Sequence, residues 1–136
     1  MVDDKGSKCN ILICGYNDNC GQKQVQNIIA SLPTLNQNKI RIEWSSNFFK
    51  IFPIINTFHY IILCRRNVQD FTSKHADYSK YIEMYNCWSL FASIIVPYEA
   101  TLDKKISIIE NHFKEHHNVY NTNSTVSHMK VNNYII

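Results

Sequence analysis

The chain has 136 residues, 45% hydrophobic and 18% charged, enough apolar material for one packed domain and too much for a disordered chain. Its formal net charge of +3 is scattered, with no block of Lys or Arg, so direct nucleic-acid binding is not expected. The longest apolar stretch, residues 48–64, is broken by Lys50, Pro53, Asn56 and His59, short of the ~20 apolar residues a membrane span needs.

The opening Met1-Val2-Asp3-Asp4-Lys5 carries acids where a secretory leader is basic, so the expected location is the cytosol or nucleus. Residues 10–15 form a short continuous apolar run ending in Gly15, the pattern of a strand buried on both faces. Val25, Ile28, Ile29 and Leu32 then recur at helical spacing, and Pro33 stops that helix. Residues 39–44 alternate: Ile40, Ile42 and Trp44 face one way, Lys39, Arg41 and Glu43 the other, as in a half-solvated edge strand.

Residues 60–64 are a second fully apolar strand. Tyr78, Tyr81, Ile82 and Tyr85 follow on one helical face, with Ser73 as a possible cap. A third apolar strand is predicted from about residue 90 to Val96, closed by Pro97. The next helix places Leu102, Ile106, Ile109 and Phe113 on one face, with Thr101 as N-cap and Asp103 in its first turn. Val119 and Tyr120 are read as a final short strand. Strands alternating with amphipathic helices predict an α/β protein: a single three-layer domain, its mostly parallel sheet covered by helices on both faces. Residues 39–44 would be the exception at its edge. Residues 1–9 then form an N-terminal extension, 10–120 the domain and 121–136 a polar tail.

In open α/β sheets ligands bind at the carboxyl ends of the strands, so the turn from Gly15 to Gln24 is where a phosphate loop would lie. A working loop reads G-x-x-x-x-G-K-[ST]: glycines free the backbone N–H groups, Lys neutralises phosphate, and the hydroxyl ligates magnesium. Here Gln22 and Lys23 follow Gly21, so neither residue is in place, and Asp18 adds negative charge. No D-x-x-G follows a strand, and Pro97-Tyr98-Glu99-Ala100 stands where a guanine reader would carry N-K-x-D. The expectation is a degenerate loop (Gly15, Gly21, Gln22, Lys23) with no nucleotide, no metal, no cofactor and no enzymatic activity.

The order and pattern of these segments resemble the centromere protein M family, kinetochore subunits with a small-GTPase-like fold and no GTPase activity. The resemblance rests on Ile11-Leu12-Ile13-Cys14-Gly15 with the helix to Leu32, and on the strand 39–44. It continues with the direct passage into residues 58–64, the segment 66–85, the connector Cys87-Trp88-Ser89-Leu90-Phe91 and the strand 93–96. It implies a nuclear, non-catalytic subunit of the inner kinetochore at the centromere. Its partners would be centromere protein I, a helical-repeat protein, and with it centromere proteins H and K. The competing readings are a divergent nucleotide-binding switch and a general α/β adaptor.

Two apolar connectors stand out from the strand and helix pattern. Phe48, Phe49, Ile51, Phe52, Ile54 and Ile55 crowd around Pro53, and residues 87–91 offer Trp, Leu and Phe within four positions. Either they cover the sheet or they mark a protein interface, where aromatics are enriched. On the second reading Trp88 and Leu90 are exposed anchors, with Tyr85 and Phe91 beside them. His112 and His116, one helical turn apart, could hold zinc, but the segment lacks H-E-x-x-H and reads as an ordinary helix end. The five cysteines show no C-x-x-C spacing and read mostly as small buried hydrophobes.

Overall fold

The computed structural model describes residues 8–33, 35–67 and 75–120, with backbone alone for 75–78 and 116–120. Four strands, β1 (Cys9–Gly15), β2 (Ile40–Ser45), β3 (Tyr60–Arg65) and β4 (Ile94–Pro97), form one sheet in the order β2-β1-β3-β4. Every pair is parallel. The central strands have neighbours on both sides and layers on both faces, which is why β1 and β3 need an apolar side chain at nearly every position. Ile11, Ile13, Ile62, Cys64, Ile94 and Val96 point into one layer; Leu12, Cys14, Ile61 and Leu63 point into the other. Each large aliphatic so buried contributes about 1.5–3 kcal/mol.

Helix α1 (Gln22–Ser31) buries Val25, Ile28 and Ile29 in the first layer, with Leu32 buried just past its end. Strand β2 has a single neighbour, and its alternation is realised as predicted: Ile40, Ile42 and Trp44 are half-buried while Arg41 and Glu43 are exposed. It is parallel like the others, so it differs from them in exposure and not in direction.

Residues 48–57, which read as a connector, are helical. Asn47 accepts a hydrogen bond from the Lys50 N–H (3.2 Å) and starts helix α2 (Phe48–Ile51). A 3₁₀ turn (Phe52–Thr57) follows, with Pro53 in its first turn, where a missing N–H costs nothing.

Helix α3 (His75–Ser89) runs further than expected and takes in Cys87, Trp88 and Ser89. The carbonyl of Trp88 then accepts from Phe91 and Ala92, both at 3.0 Å, and β4 begins only at Ile94 instead of near residue 90. A short apolar run does not by itself distinguish strand from helix. Here Trp88 and Ala92, one turn apart, are both buried in the second layer, which favours the helix. Ser73, the expected cap of α3, lies outside the described residues.

Thr101 caps helix α4 (Leu102–Tyr120), accepting from the Lys104 N–H at 3.2 Å, with Asp103 in the first turn. Its buried stripe is Lys105, Ile109, His112 and Phe113, whereas Leu102 is exposed and Ile106 half-buried. Val119 and Tyr120 belong to this helix and not to a strand. Leaving β1 toward β2 the chain uses α1 on one face; leaving β3 toward β4, in the opposite direction, it uses α3 on the other. That alternation keeps both crossovers in the same, right-handed sense. No helix among the described residues is long and apolar enough to cross a membrane.

Candidate functional site

The strand order reverses between β1 and β3, so the crevice beyond their carboxyl ends is where this architecture offers a ligand site. Gly15 ends β1 against β3, and a Cβ there would lie 3.0 Å from the Cys64 carbonyl oxygen and 3.3 Å from Trp44 Cη2. The loop beyond it is held by its own polar groups. Asn17 Oδ1 accepts from the Asn19 N–H (2.8 Å), Gln22 Nε2 donates to the Asp18 carbonyl (2.5 Å), and Trp44 Nε1 donates to Asp18 Oδ1 (3.2 Å). Gln22, which stands in the lysine position of the motif, is thereby turned back into the loop, and Lys23 is exposed. Gly21 begins α1 at φ 87°, in the left-handed region, with no side-chain cap.

Above Gly21 sits Tyr98, from the turn after β4; a Cβ on Gly21 would come within 3.1 Å of its ring. The Arg66 guanidinium lies 4.1 Å from the ring centroid and Lys105 Nζ 5.2 Å from it. Arg66 Nη1 also donates to the Asn19 carbonyl (2.7 Å), and Lys105 Nζ, on a side chain only 5% exposed, donates to Gln24 Oε1 (2.7 Å). The Tyr81 hydroxyl donates to the Arg66 carbonyl (2.8 Å), and the Tyr98 N–H to the Arg65 carbonyl (2.7 Å). Loops after β1, β3 and β4 are thus joined around one tyrosine. Sequence reading singled out Gly15, Gly21, Gln22 and Lys23 in this loop but not Tyr98, Arg66, Lys105 or Gln24. The available signal was Lys105, which falls on the buried stripe of α4 one turn before Ile109.

Reactive side chains elsewhere are engaged in packing. Ser93 Oγ donates to the Ile61 carbonyl (3.0 Å), accepts from the Ile61 N–H (3.2 Å) and meets His112 Nε2 at 3.2 Å, all buried. Its one donor and two acceptor positions are filled when the imidazole carries its proton on Nε2. The pair locks the start of β4 to β3. Cys9, Cys14, Cys20 and Cys64 are buried, and all five cysteines are free thiols. Burial pushes the Cys9 and Cys64 thiols up to about 12 and holds Cys14 well above the ordinary range, the reverse of what a nucleophile needs. Among the described residues no group of three or more His, Cys, Asp or Glu is placed to hold a metal ion. The side chain of His116 lies outside the description.

The second feature is a surface. Its two contributors are the connectors singled out in the sequence, and the structure brings them together. Phe91 packs on Phe48 (5.9 Å between ring centroids) and on Phe52 (5.8 Å), while Phe48 contacts Trp88 edge-on at 5.0 Å. Phe48, Ile51, Ile55 and Trp88 are buried and cover the sheet. Phe49 (63% exposed), Phe52, Ile54 and Leu90 (54% exposed) face outward. The connectors divide: some of their residues cover the sheet and others are left on the surface. Trp88 is corrected from exposed anchor to core: its side chain is 0% exposed because α3 continues through it. Leu90 is on the surface, Phe91 is half-buried beside it, and Tyr85 is half-buried, stacked on Tyr81 with Arg65 over its ring.

No protein-family model matches the chain, and no curated protein or solved structure matches it significantly.

Proposed function

We propose that this chain is a non-catalytic interaction subunit on a small-GTPase-like plan, acting in the inner kinetochore as its resemblance to centromere protein M implies. In this role it stabilises a complex with centromere protein I, and with it centromere proteins H and K, in the nucleus. One observation supports the non-catalytic part: at the crevice where the fold would seat a ligand, Tyr98 lies over Gly21, with Arg66 and Lys105 against its ring and Gln22 bonded into the loop. A nucleotide would have to displace these contacts and would meet neither the lysine nor the hydroxyl of a phosphate loop. The kinetochore part rests on the sequence resemblance.

Titration with GTP or ATP and magnesium tests the first part. No saturable binding is expected tighter than about 100 µM, an affinity of roughly 5.5 kcal/mol. Saturable binding below that concentration favours the divergent-switch reading instead. Affinity purification of the tagged protein tests the second, and centromere protein I should come with it. Its absence, with other partners present, favours a general adaptor.

A further inference from the structure

We infer that the exposed patch formed by Phe49, Phe52, Leu90 and Phe91 receives an amphipathic helix of a partner protein whose apolar stripe is flanked by carboxylates. The inference rests on the interaction-subunit reading and names the partner's chemistry. Phe49 and Phe52, three positions apart on helical backbone, form one row; Leu90 and Phe91, just past the end of α3, form a second, and the Phe52–Phe91 ring contact joins them. The first row has helical spacing and the second lies in the turn beside it, so together they offer an apolar face on which an amphipathic helix can lay its stripe.

An extended peptide has less to hold here. The patch presents helix ends and no strand edge. The nearest sheet edge, β4, closes with Pro97, which has no N–H; the following N–H, of Tyr98, is already bonded to β3.

Charge decides the flank. Residues 44–58 and 84–93, which include both rows, contain Lys50 and no Asp or Glu. Lys50 is exposed between Phe49 and Phe52 in sequence. The nearest acid along α3 is Glu83, about two turns before Leu90. A second copy of this chain would bring Lys50 against Lys50, whereas a helix with Glu or Asp beside its apolar stripe meets opposite charge.

The test uses the full chain and two designed helical peptides with the same leucine stripe, one flanked by Glu and the other by Lys. Fluorescence anisotropy should show the Glu peptide binding at least about fivefold tighter at low salt, with the preference shrinking at about 0.5 M salt. Phe52→Glu and Leu90→Glu should abolish binding with an unchanged melting temperature, and Lys50→Glu should reverse the preference. Phe49→Glu, at the most exposed ring, replaces either variant that fails to fold. Equal affinity for the two peptides, no binding of either, or a self-association that Phe52→Glu dissolves would overturn the inference. Failure of centromere protein I to copurify leaves this peptide result untouched, so the two ideas fail separately.

Discussion

The indole of Trp88 is packed edge-on against Phe48 and is fully buried, while two residues later the Leu90 side chain is more than half exposed. Trp88→Ala should therefore cost about 3–5 kcal/mol in a denaturant titration, a large part of a total of about 5–15 kcal/mol. Trp88→Phe should cost less than Trp88→Ala. The Nε1–H is buried with no acceptor among the described residues, so phenyl sacrifices no hydrogen bond. A Phe variant as unstable as Ala would show that the indole makes a bond not visible in this packing. Buried thiols give a second outcome. Well below pH 9, the ordinary thiol value, the Cys9 and Cys64 thiols are protonated in both folded and unfolded chains. Between 9 and 12 the unfolded chain loses protons that the folded chain keeps, so stability falls as pH rises. The slope is up to about 1.4 kcal/mol per pH unit for each thiol. Denaturation midpoints should be flat below that window and fall within it, with a shallower fall in Cys9→Ala.

Among the elements, the turn into α1 depends on the turn after β4. Gly21 is held at positive φ beneath Tyr98, so Gly21→Ala carries both backbone strain and a contact with a ring fixed by Arg66 and Lys105. The expected loss is about 1–3 kcal/mol by thermal or chemical denaturation. Adding Tyr98→Ala should relieve the contact but not the strain, so the double variant should lose less than the sum of the singles. Strict additivity would show that the two turns are not coupled. Helix α3 makes the complementary point. Its apolar residues 87–92 were legible as unusual for a link, but their periodicity was compatible with strand as well as helix. The ambiguity ended only with the packing of Trp88 and Ala92 on the second layer.

At the scale of the whole molecule, stability rests on two central strands that face packed layers on both sides. Leu12→Asp, into the layer of α2 and α3, or Ile62→Asp, into that of α1 and α4, buries a carboxylate in a layer built mainly of apolar side chains. The cost is several kcal/mol, enough to unfold a domain of ordinary stability. Circular dichroism should show loss of the cooperative melt, whereas an unchanged melting temperature for either would mean the sheet centre is misplaced.

The sequence by itself determined the alternation of strands and helices, the edge position of residues 39–44, the buried face of α1, the Thr101 cap and the lack of G-x-x-x-x-G-K-[ST] in the turn after β1. Each of these is carried by neighbours in sequence: periods of two or 3.6, a capping side chain, a motif of fixed spacing. Tertiary structure alone decided which apolar residues of the two connectors are core and which are surface, because that depends on whether Phe48, Phe52 and Phe91 meet. It also decided that Tyr98 lies over Gly21, with Arg66 from the loop after β3 and Lys105 from the helix that follows its own turn against its ring. The contacts of Tyr98 with Gly21 and Arg66 join residues more than thirty positions apart, and no local pattern records them.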